Sequence, residues 1–524
     1  MSNEYDAIIV GAGVNSLACA VHLAAKGWRV GVFEQADTPG GAVKTLELTA
    51  PGFHHDWAAM NLSLFAGSGF FKAYGKDLTG HGLEFVPASK CFASVFDDGK
   101  WFGVSTGAGE TRARIASFSE ADAKTWDRLC ADFPGTAEYV FELLGNPMQM
   151  HIQGRLLAKA LWRKGFAWTA GLARTLLSSP RAWLTETFES DQVRATLGAW
   201  GMHLDFAPDM AGGAVFPYLE SMASHHFGMV IGKGGADTAI KAMLSKIEAS
   251  GGEIHCGKRV ARVLKSGGKA TGIELEDGTQ IKASRAVIAN VAPGGLMKLL
   301  DGKSGDAAFD AKMTKFSHAP GTMMIHLALD GLPDWTAGEE LKNFAYVHIA
   351  PSLDQMARTY QQAVAGLLPD EPVLVVGQPT AIDPSRAPDG KHVLWVQVRM
   401  VPAEIRGDAA GTITETDWAH VKEIYADRAI EMIERHAPGL KAKIIGRAVV
   451  SPLDLEADNP NLVGGDQVAG SHHLSQNFLF RPALGHATGK TPVEGLHITG
   501  ASVWPGAGTG AGAGYMLARK LGGK

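Results

Sequence analysis

Tyr5-Asp6-Ala7-Ile8-Ile9-Val10-Gly11-Ala12-Gly13-Val14-Asn15-Ser16 begins as an apolar, β-branched run and breaks into a glycine turn. Residues 17–26 are rich in alanine and leucine and read as a helix, with Gly27 suited to its C-cap. Residues 29–33 read as a second strand that ends at Glu34. Strand, glycine turn, helix, strand and acid in this register make the βαβ unit that holds a dinucleotide. Gly11 permits the tight turn, and Gly13 lets the backbone approach a pyrophosphate. The helix N-terminus at Asn15 and Ser16 offers free N–H groups and a positive dipole end. Ser16 replaces the third fingerprint glycine and is small enough for close helix–strand packing. Glu34 is placed to accept hydrogen bonds from the adenosine ribose hydroxyls.

Two further glycine segments point to FAD rather than NAD. Gly40-Gly41-Ala42-Val43 follows six residues after Glu34, and Gly52-Phe53-His54-His55-Asp56 comes soon after. An NAD domain has no need of that second glycine pair, whereas a flavoprotein uses it along the pyrophosphate and ribityl chain. At the far end, a short strand at residues 496–499 runs into Gly500-Ala501-Ser502-Val503-Trp504-Pro505-Gly506-Ala507-Gly508-Thr509-Gly510-Ala511-Gly512. A helical tail at residues 515–521 closes the chain. This is again strand, glycine-rich turn and helix N-terminus, able to face a flavin and its ribityl chain.

With these blocks the chain resembles the phytoene desaturase-like flavoproteins, most closely the subgroup called pyridine nucleotide-disulphide oxidoreductase domain-containing protein 2. Asn459-Pro460-Asn461, Gly464-Gly465-Asp466, Ser471-His472-His473-Leu474, Gln476-Asn477 and Arg481-Pro482 are similar to that subgroup's patterns. The resemblance implies FAD, held by a Rossmann-type domain assembled from discontinuous segments; no cysteine lies near the C-terminal glycine block, so the flavin is expected to be non-covalent. It implies that the backbone at Val260 contacts the adenine and that Asn290 ends a strand beside the nucleotide. Two features depart from relatives. Val14-Asn15-Ser16 stands where the family often has histidine–asparagine–glycine, and Ala501 stands where amine-oxidase relatives carry an acid, which favours the desaturase branch.

The expected fold is α/β, with FAD-binding segments at residues 1–70, 224–310 and 485–524. Residues 71–223 and 311–484 are left for an α+β substrate domain on an antiparallel sheet, with strands at 323–329, 373–376 and 393–401. A helix at residues 416–436 is expected to cover that sheet, with Ile424, Ile430, Met432 and Ile433 on its apolar side. Middle segments fit the cofactor half: Gly232-Lys233-Gly234-Gly235, a helix to Ala249, and a hairpin turning at Asp277-Gly278. Residues 143–185 contain no Asp or Glu, and Arg155, Lys159, Arg163, Lys164, Arg174 and Arg181 alternate with Trp162, Phe166, Trp168 and Trp183. Such helices suit either an interfacial membrane contact or an internal or subunit contact, and both remain open.

Composition excludes several classes. The net charge of −5 gives nothing for nucleic acid to bind, and four scattered cysteines form neither a disulfide framework nor a zinc site. The N-terminus carries acids and no apolar span, so a cytoplasmic protein is expected, with peripheral membrane contact left open. Of the pairs His54-His55, His225-His226 and His472-His473, none is expected to chelate a metal, because neighbours on a strand face opposite ways. His472 and His473, with Gln476 nearby, are the candidates for an acid, base or polar anchor at the flavin. The alternative is histidines that merely pack near the cofactor. No second strand–glycine–acid unit exists for NAD(P)H, so electrons are expected to pass from an apolar small molecule to oxygen, a quinone or another acceptor. An amine or amino-acid oxidase, with Arg399 or Arg481 clamping a substrate carboxylate, is the second reading. A flavin-dependent isomerase and a flavin-stabilised scaffold remain behind it. Oligomeric state is not legible.

Overall fold

The computed structural model describes residues 2–107 and 109–523. Strand Glu4–Val10 lies inside one sheet, parallel to Val30–Phe33 on one side and to Gln280–Ala289 on the other. Glu253–His255 extends the sheet beyond Val30–Phe33, and Leu496–Ile498 pairs in parallel with the end of Gln280–Ala289. Val260–Ser266 and Lys269–Leu275 complete it as an antiparallel edge. Every parallel return needs a crossover, which is why the strands come from segments far apart in sequence. In register, Val10 lies beside Phe33 and Ala289, and Ala289 beside Ile498. Gly11, Glu34, Asn290 and the Thr499-Gly500 step therefore emerge together at one carboxyl edge, where open α/β sheets bind their ligands. Helix Val14–Ala25 starts directly after Gly13, three residues before the start read from sequence, so turn and helix N-terminus coincide. Helices Thr238–Ala249 and Gly512–Gly522 share its core on that face.

The second sheet has seven strands in the order Ile444–Val450, Gly321–Leu329, His392–Val401, Val373–Gly377, Tyr346–Ile349, Lys90–Val95, Trp101–Ser105. It is antiparallel except where Tyr346–Ile349 meets Lys90–Val95, two segments too distant in sequence to form a hairpin. Its two faces differ in chemistry. Met323, Ile325, Leu327, Leu394, Val396 and Val398 point to a purely apolar layer under helix Trp418–His436. The alternate positions carry His326, Tyr346, His348, Trp395, Gln397 and Arg399 on the opposite face. On the covering helix Ile424 is exposed rather than buried, because the buried stripe steps from Val421 to Tyr425 and skips it.

An ion-paired knot joins the two halves. Arg386 is fully buried, with Nη1 2.5 Å from Asp56 Oδ2, Nη2 donating to the Gly232 carbonyl at 2.6 Å and Nε 3.3 Å from Asp383 Oδ2. Asp56 also accepts from Thr45 Oγ1 and Ala236 N–H, and Asp383 from Gly234 N–H. With each carboxylate oxygen of Asp56 and Asp383 accepting at least one hydrogen bond, the cluster meets the condition for a tolerated buried charge.

The 143–185 region contains a helix, Met150–Leu177, broken at Gly165 (φ 82°). Trp162 and Phe166 flank the break at 85% and 78% exposure. The positive charge is less free than the sequence suggests. Lys159 pairs with Glu138 and Glu142, Arg174 with Glu186, and Arg181 with Asp209 and Asp354, acids distant in sequence but adjacent in space. No helix of the described residues is long and apolar enough to cross a membrane.

Replacing Arg386 by Met should leave Asp56 and Asp383 buried without a counter-charge and cost about 3–5 kcal/mol of stability in urea unfolding. An unchanged midpoint and slope would show that the knot does not hold the halves together.

Candidate active site

The glycine segments meet around Asn290. Its Nδ2 donates to Ser16 Oγ at 2.9 Å, and a Cβ on Gly13 would lie 3.2 Å from that nitrogen. A Cβ on Gly500 would fall 2.1 Å from Asn290 Oδ1, and one on Gly41 would sit 3.3 Å from the Gly13 Cα. Gly40 N–H donates to the Ala12 carbonyl at 2.9 Å, and Gly11, Gly40 and Gly41 all have positive φ. The result is a trough floored by backbone that any side chain would fill. Asn15 Oδ1 accepts from Gly514 N–H at 3.1 Å, which ties the first helix to the last. Ala42 opens toward the substrate side, while Val43 is buried under the helices. Gly508 and Gly510 pack on Leu64, and Thr509 Oγ1 donates to the Asn61 carbonyl at 3.2 Å.

These residues fit an FAD. Helix Val14–Ala25 begins with neither a side-chain cap nor an acid in its first turn, which leaves its first N–H groups for an anion, while in helix Gly512–Gly522 Asn15 already takes the Gly514 N–H. Glu34, at the strand tip, accepts from Ala12 N–H at 2.7 Å and Ala36 N–H at 2.9 Å. Beyond it lies a polar cavity of about 710 Å³, lined by Gln35, Asp37, Lys44, Lys258, Arg259 and Asp277 among others. Val260 follows directly on that lining, so the cavity suits the adenosine half.

At the other end the trough opens beneath the polar face of the second sheet. Trp57 N–H donates to the Lys44 carbonyl at 2.8 Å, and its ring stacks against His326 at 6.4 Å. Trp395 Nε1 donates to the Asp56 carbonyl at 2.7 Å and packs against Tyr346 at 5.9 Å. His348 and His203 approach through their Nε2 atoms at 3.3 Å. Burial holds the His348 imidazole at about 3 and drives His203 and His326 well below the usual range, so all three are neutral. Phe216 and Ala223 pack against the same apolar core as Tyr346 and Trp395. None of these residues stood out in the sequence, because each belongs to an ordinary strand or helix pattern and only alternation along a correctly placed strand would have grouped them.

The three residues read from sequence as catalytic are held by backbone groups, His472 against the C-terminal glycine turn and His473 and Gln476 away from it. His472 is buried and accepts from Ala507 N–H through Nε2 at 3.0 Å, bracing the C-terminal glycine turn. Burial, with the Arg481 charge beside it, keeps its imidazole far below the usual range and neutral. His473 turns to the opposite side, where Nε2 meets the Asp205 carbonyl at 3.0 Å in a surface cavity of about 480 Å³. Gln476 spans the Ser317 backbone at 2.8 Å through both amide atoms, and it too reaches the Ser471 carbonyl. Backbone groups thus occupy His472 and Gln476, and the geometry makes them braces. The arginines are similarly engaged. Arg481 donates to the carbonyls of Ser471 and Ala501 at 2.7–3.0 Å, and Arg399 to those of Met202 and His203. The four cysteines are free thiols, and among the described residues no three His, Cys, Asp or Glu side chains group as metal ligands.

Gly13→Val should raise the Kd for FAD about tenfold or more with helical circular dichroism retained, because Gly13 has ordinary φ and the added side chain crowds Asn290 at the floor of the trough. FAD titration by fluorescence quenching checks it, and unchanged affinity would show that the trough is not the cofactor site. His472→Ala should cost about 1 kcal/mol by loss of one hydrogen bond, equally at pH 6 and pH 8, since the imidazole is neutral throughout. A loss confined to one pH would contradict the bracing role.

Residues 17–404 match the description of the flavin containing amine oxidoreductase family. Pyridine nucleotide-disulfide oxidoreductase domain-containing protein 2 of Rattus norvegicus is 26% identical over 550 residues, covering 98% of this chain and 93% of its own. Phytoene desaturase (neurosporene-forming) of Rhodobacter capsulatus is 25% identical over 534 residues, with 98% and 93% covered. Among solved structures, an oxidoreductase from Methanosarcina mazei superposes with a TM-score of 0.63 at 18% identity, over 98% of this chain and 99% of that one. A putrescine oxidase variant with a redesigned cofactor site gives 0.62 at 17% identity, over 99% and 97%. Those two likenesses establish the fold, and the sequence matches agree with the phytoene desaturase-like resemblance and with FAD as cofactor. This chain belongs to the flavin containing amine oxidoreductase family and is an FAD-dependent oxidoreductase.

Proposed function

We propose that the enzyme dehydrogenates an apolar, isoprenoid-like molecule and passes the electrons to an acceptor other than NAD(P). Bound FAD supplies a two-electron oxidant, and the chain's own residues bind, orient and dry the substrate. The observation that carries this reading is the aromatic and imidazole face that the second sheet turns to Trp57. Trp57, Tyr346 and Trp395 offer aromatic surface there, His326 and His348 beside them are neutral, and Arg399 on the same face is turned to backbone carbonyls. An amino-acid oxidase would instead need a free cation for the substrate carboxylate, and Arg399 and Arg481 are both committed to backbone carbonyls.

The broken helix Met150–Leu177 supports a route for such a substrate. Met150, Leu157, Leu161, Trp162 and Phe166 are exposed on it, more apolar surface than water tolerates without use. In this reading the helix touches the lipid phase in which the substrate dissolves.

Anaerobic addition of an apolar alkene or alcohol donor to the FAD-loaded protein should bleach the flavin bands, whereas NADH should not. Bleaching by amines alone would replace this reading with the oxidase. The double variant Trp162→Ser/Phe166→Ser should pellet less with phospholipid vesicles yet oxidise detergent-dissolved donor at the parent rate. Unaltered pelleting would remove the helix from any lipid contact.

A further inference from the structure

The surface cavity that His473 reaches belongs neither to the cofactor trough nor to the polar face of the second sheet. Its volume of about 480 Å³ falls within the roughly 300–1,000 Å³ of small-molecule pockets. The walls are mostly apolar, formed by Met210, Ala319, Pro320, Ala363, Val364 and Pro402. At the rim Glu404 and Arg406 face each other at 3.7 Å, so neither sign of charge prevails there. One short loop serves both this cavity and the second sheet. Asp205, at φ 68°, lines the cavity, and His203 two residues earlier meets His348 at 3.3 Å. Arg399 pins that loop through the carbonyls of Met202 and His203.

Two imidazoles give the cavity its chemistry, and each is backed by a buried carboxylate. His473 Nε2 lies 3.0 Å from the Asp205 carbonyl oxygen and 3.2 Å from Asp205 Oδ2, while Tyr360 donates to Asp205 Oδ1 at 2.8 Å. The carbonyl can only accept, so Nε2 carries the hydrogen and Nδ1 holds the lone pair of the neutral ring. His318 repeats the arrangement with its nitrogens exchanged. Its Nδ1 lies 3.4 Å from Oδ2 of Asp466, a carboxylate held by the N–H groups of Ala319, Val468 and Gly470. A carboxylate behind an imidazole fixes which nitrogen faces outward. Among the described residues nothing bonds His473 Nδ1 or His318 Nε2, and both atoms stay accessible on rings that line the cavity.

We propose that this cavity is a binding site for a neutral, apolar molecule carrying two hydroxyl groups, of the diphenol class. The proline, alanine and valine walls take the ring, and each hydroxyl donates to one imidazole, O–H to His473 Nδ1 and O–H to His318 Nε2. The same lone pairs turn away a ligand that offers only acceptors, such as an ether, a ketone or a carboxylate. Two imidazole nitrogens could also begin a metal site, but among the described residues no third His, Cys, Asp or Glu side chain completes one. The site is independent of the desaturation reading, since no residue of the cofactor trough lines it.

Calorimetric titration of the FAD-loaded protein with resorcinol and with its dimethyl ether tests the proposal. Resorcinol should bind, and the ether about tenfold or more weaker, because methylation removes both donors and keeps the ring. H318F and H473F each keep a ring of similar size and remove one lone pair. Each should weaken resorcinol by about tenfold while the affinity for the ether and for FAD stays at the parent value. Should H473F lose FAD as well, through the freed Asp205 loop, H318F alone decides. Equal affinity for resorcinol and its ether, or no binding of resorcinol, would overturn the assignment. Parent-like resorcinol affinity in H318F would overturn it too.

Discussion

The cofactor half of the structure depends on one constraint, the close approach of four strand ends at a single sheet edge. Gly11, Asn290, Gly500 and Glu34 arrive there side by side because the registers of Glu4–Val10, Gln280–Ala289, Leu496–Ile498 and Val30–Phe33 align. Backbones packed this tightly leave no room for Cβ atoms, and Asn290 alone lies against Gly11 and Gly13 of the first glycine segment and Gly500 of the last. The same absence of side chains that lets the strands meet makes a floor for a pyrophosphate. Packing and function impose one requirement here rather than two.

The second sheet complements it by separating its chemistry by face. One side is aliphatic and locked under helix Trp418–His436, which gives the sheet rigidity. The other is aromatic, imidazole-rich and incompletely satisfied, with both nitrogens of His326 lacking hydrogen-bond partners. Strand alternation alone produces this division. The Arg386 knot fixes that face relative to the trough, so a flavin ring and a substrate would meet in a space defined from both halves.

Much of the cofactor site was legible in the sequence for a physical reason. A residue type forced by backbone geometry, such as Gly11 at φ 86° or Gly500 at φ 108°, leaves a mark that needs no three-dimensional context. The substrate side offered no such mark. Strands Lys90–Val95, Trp101–Ser105 and Tyr346–Ile349 are short and buried on both faces, so they lack the polar alternation that identifies a half-exposed strand. His472 and His473 attracted attention as a pair, yet hydrogen bonding to Ala507 and Asp205 sends them to opposite sides of their loop. Charge in residues 143–185 misled as well, since the neutralising Glu138, Glu142 and Glu186 are supplied by neighbouring helices.

A crystal structure of the protein loaded with FAD would test the central claim most directly. The account predicts a pyrophosphate over Gly13 and Gly41, adenosine in the cavity beyond Glu34 and the flavin ring directed toward Trp57 and Tyr346. FAD bound away from this trough, or a ring turned from the polar face of the second sheet, would contradict it.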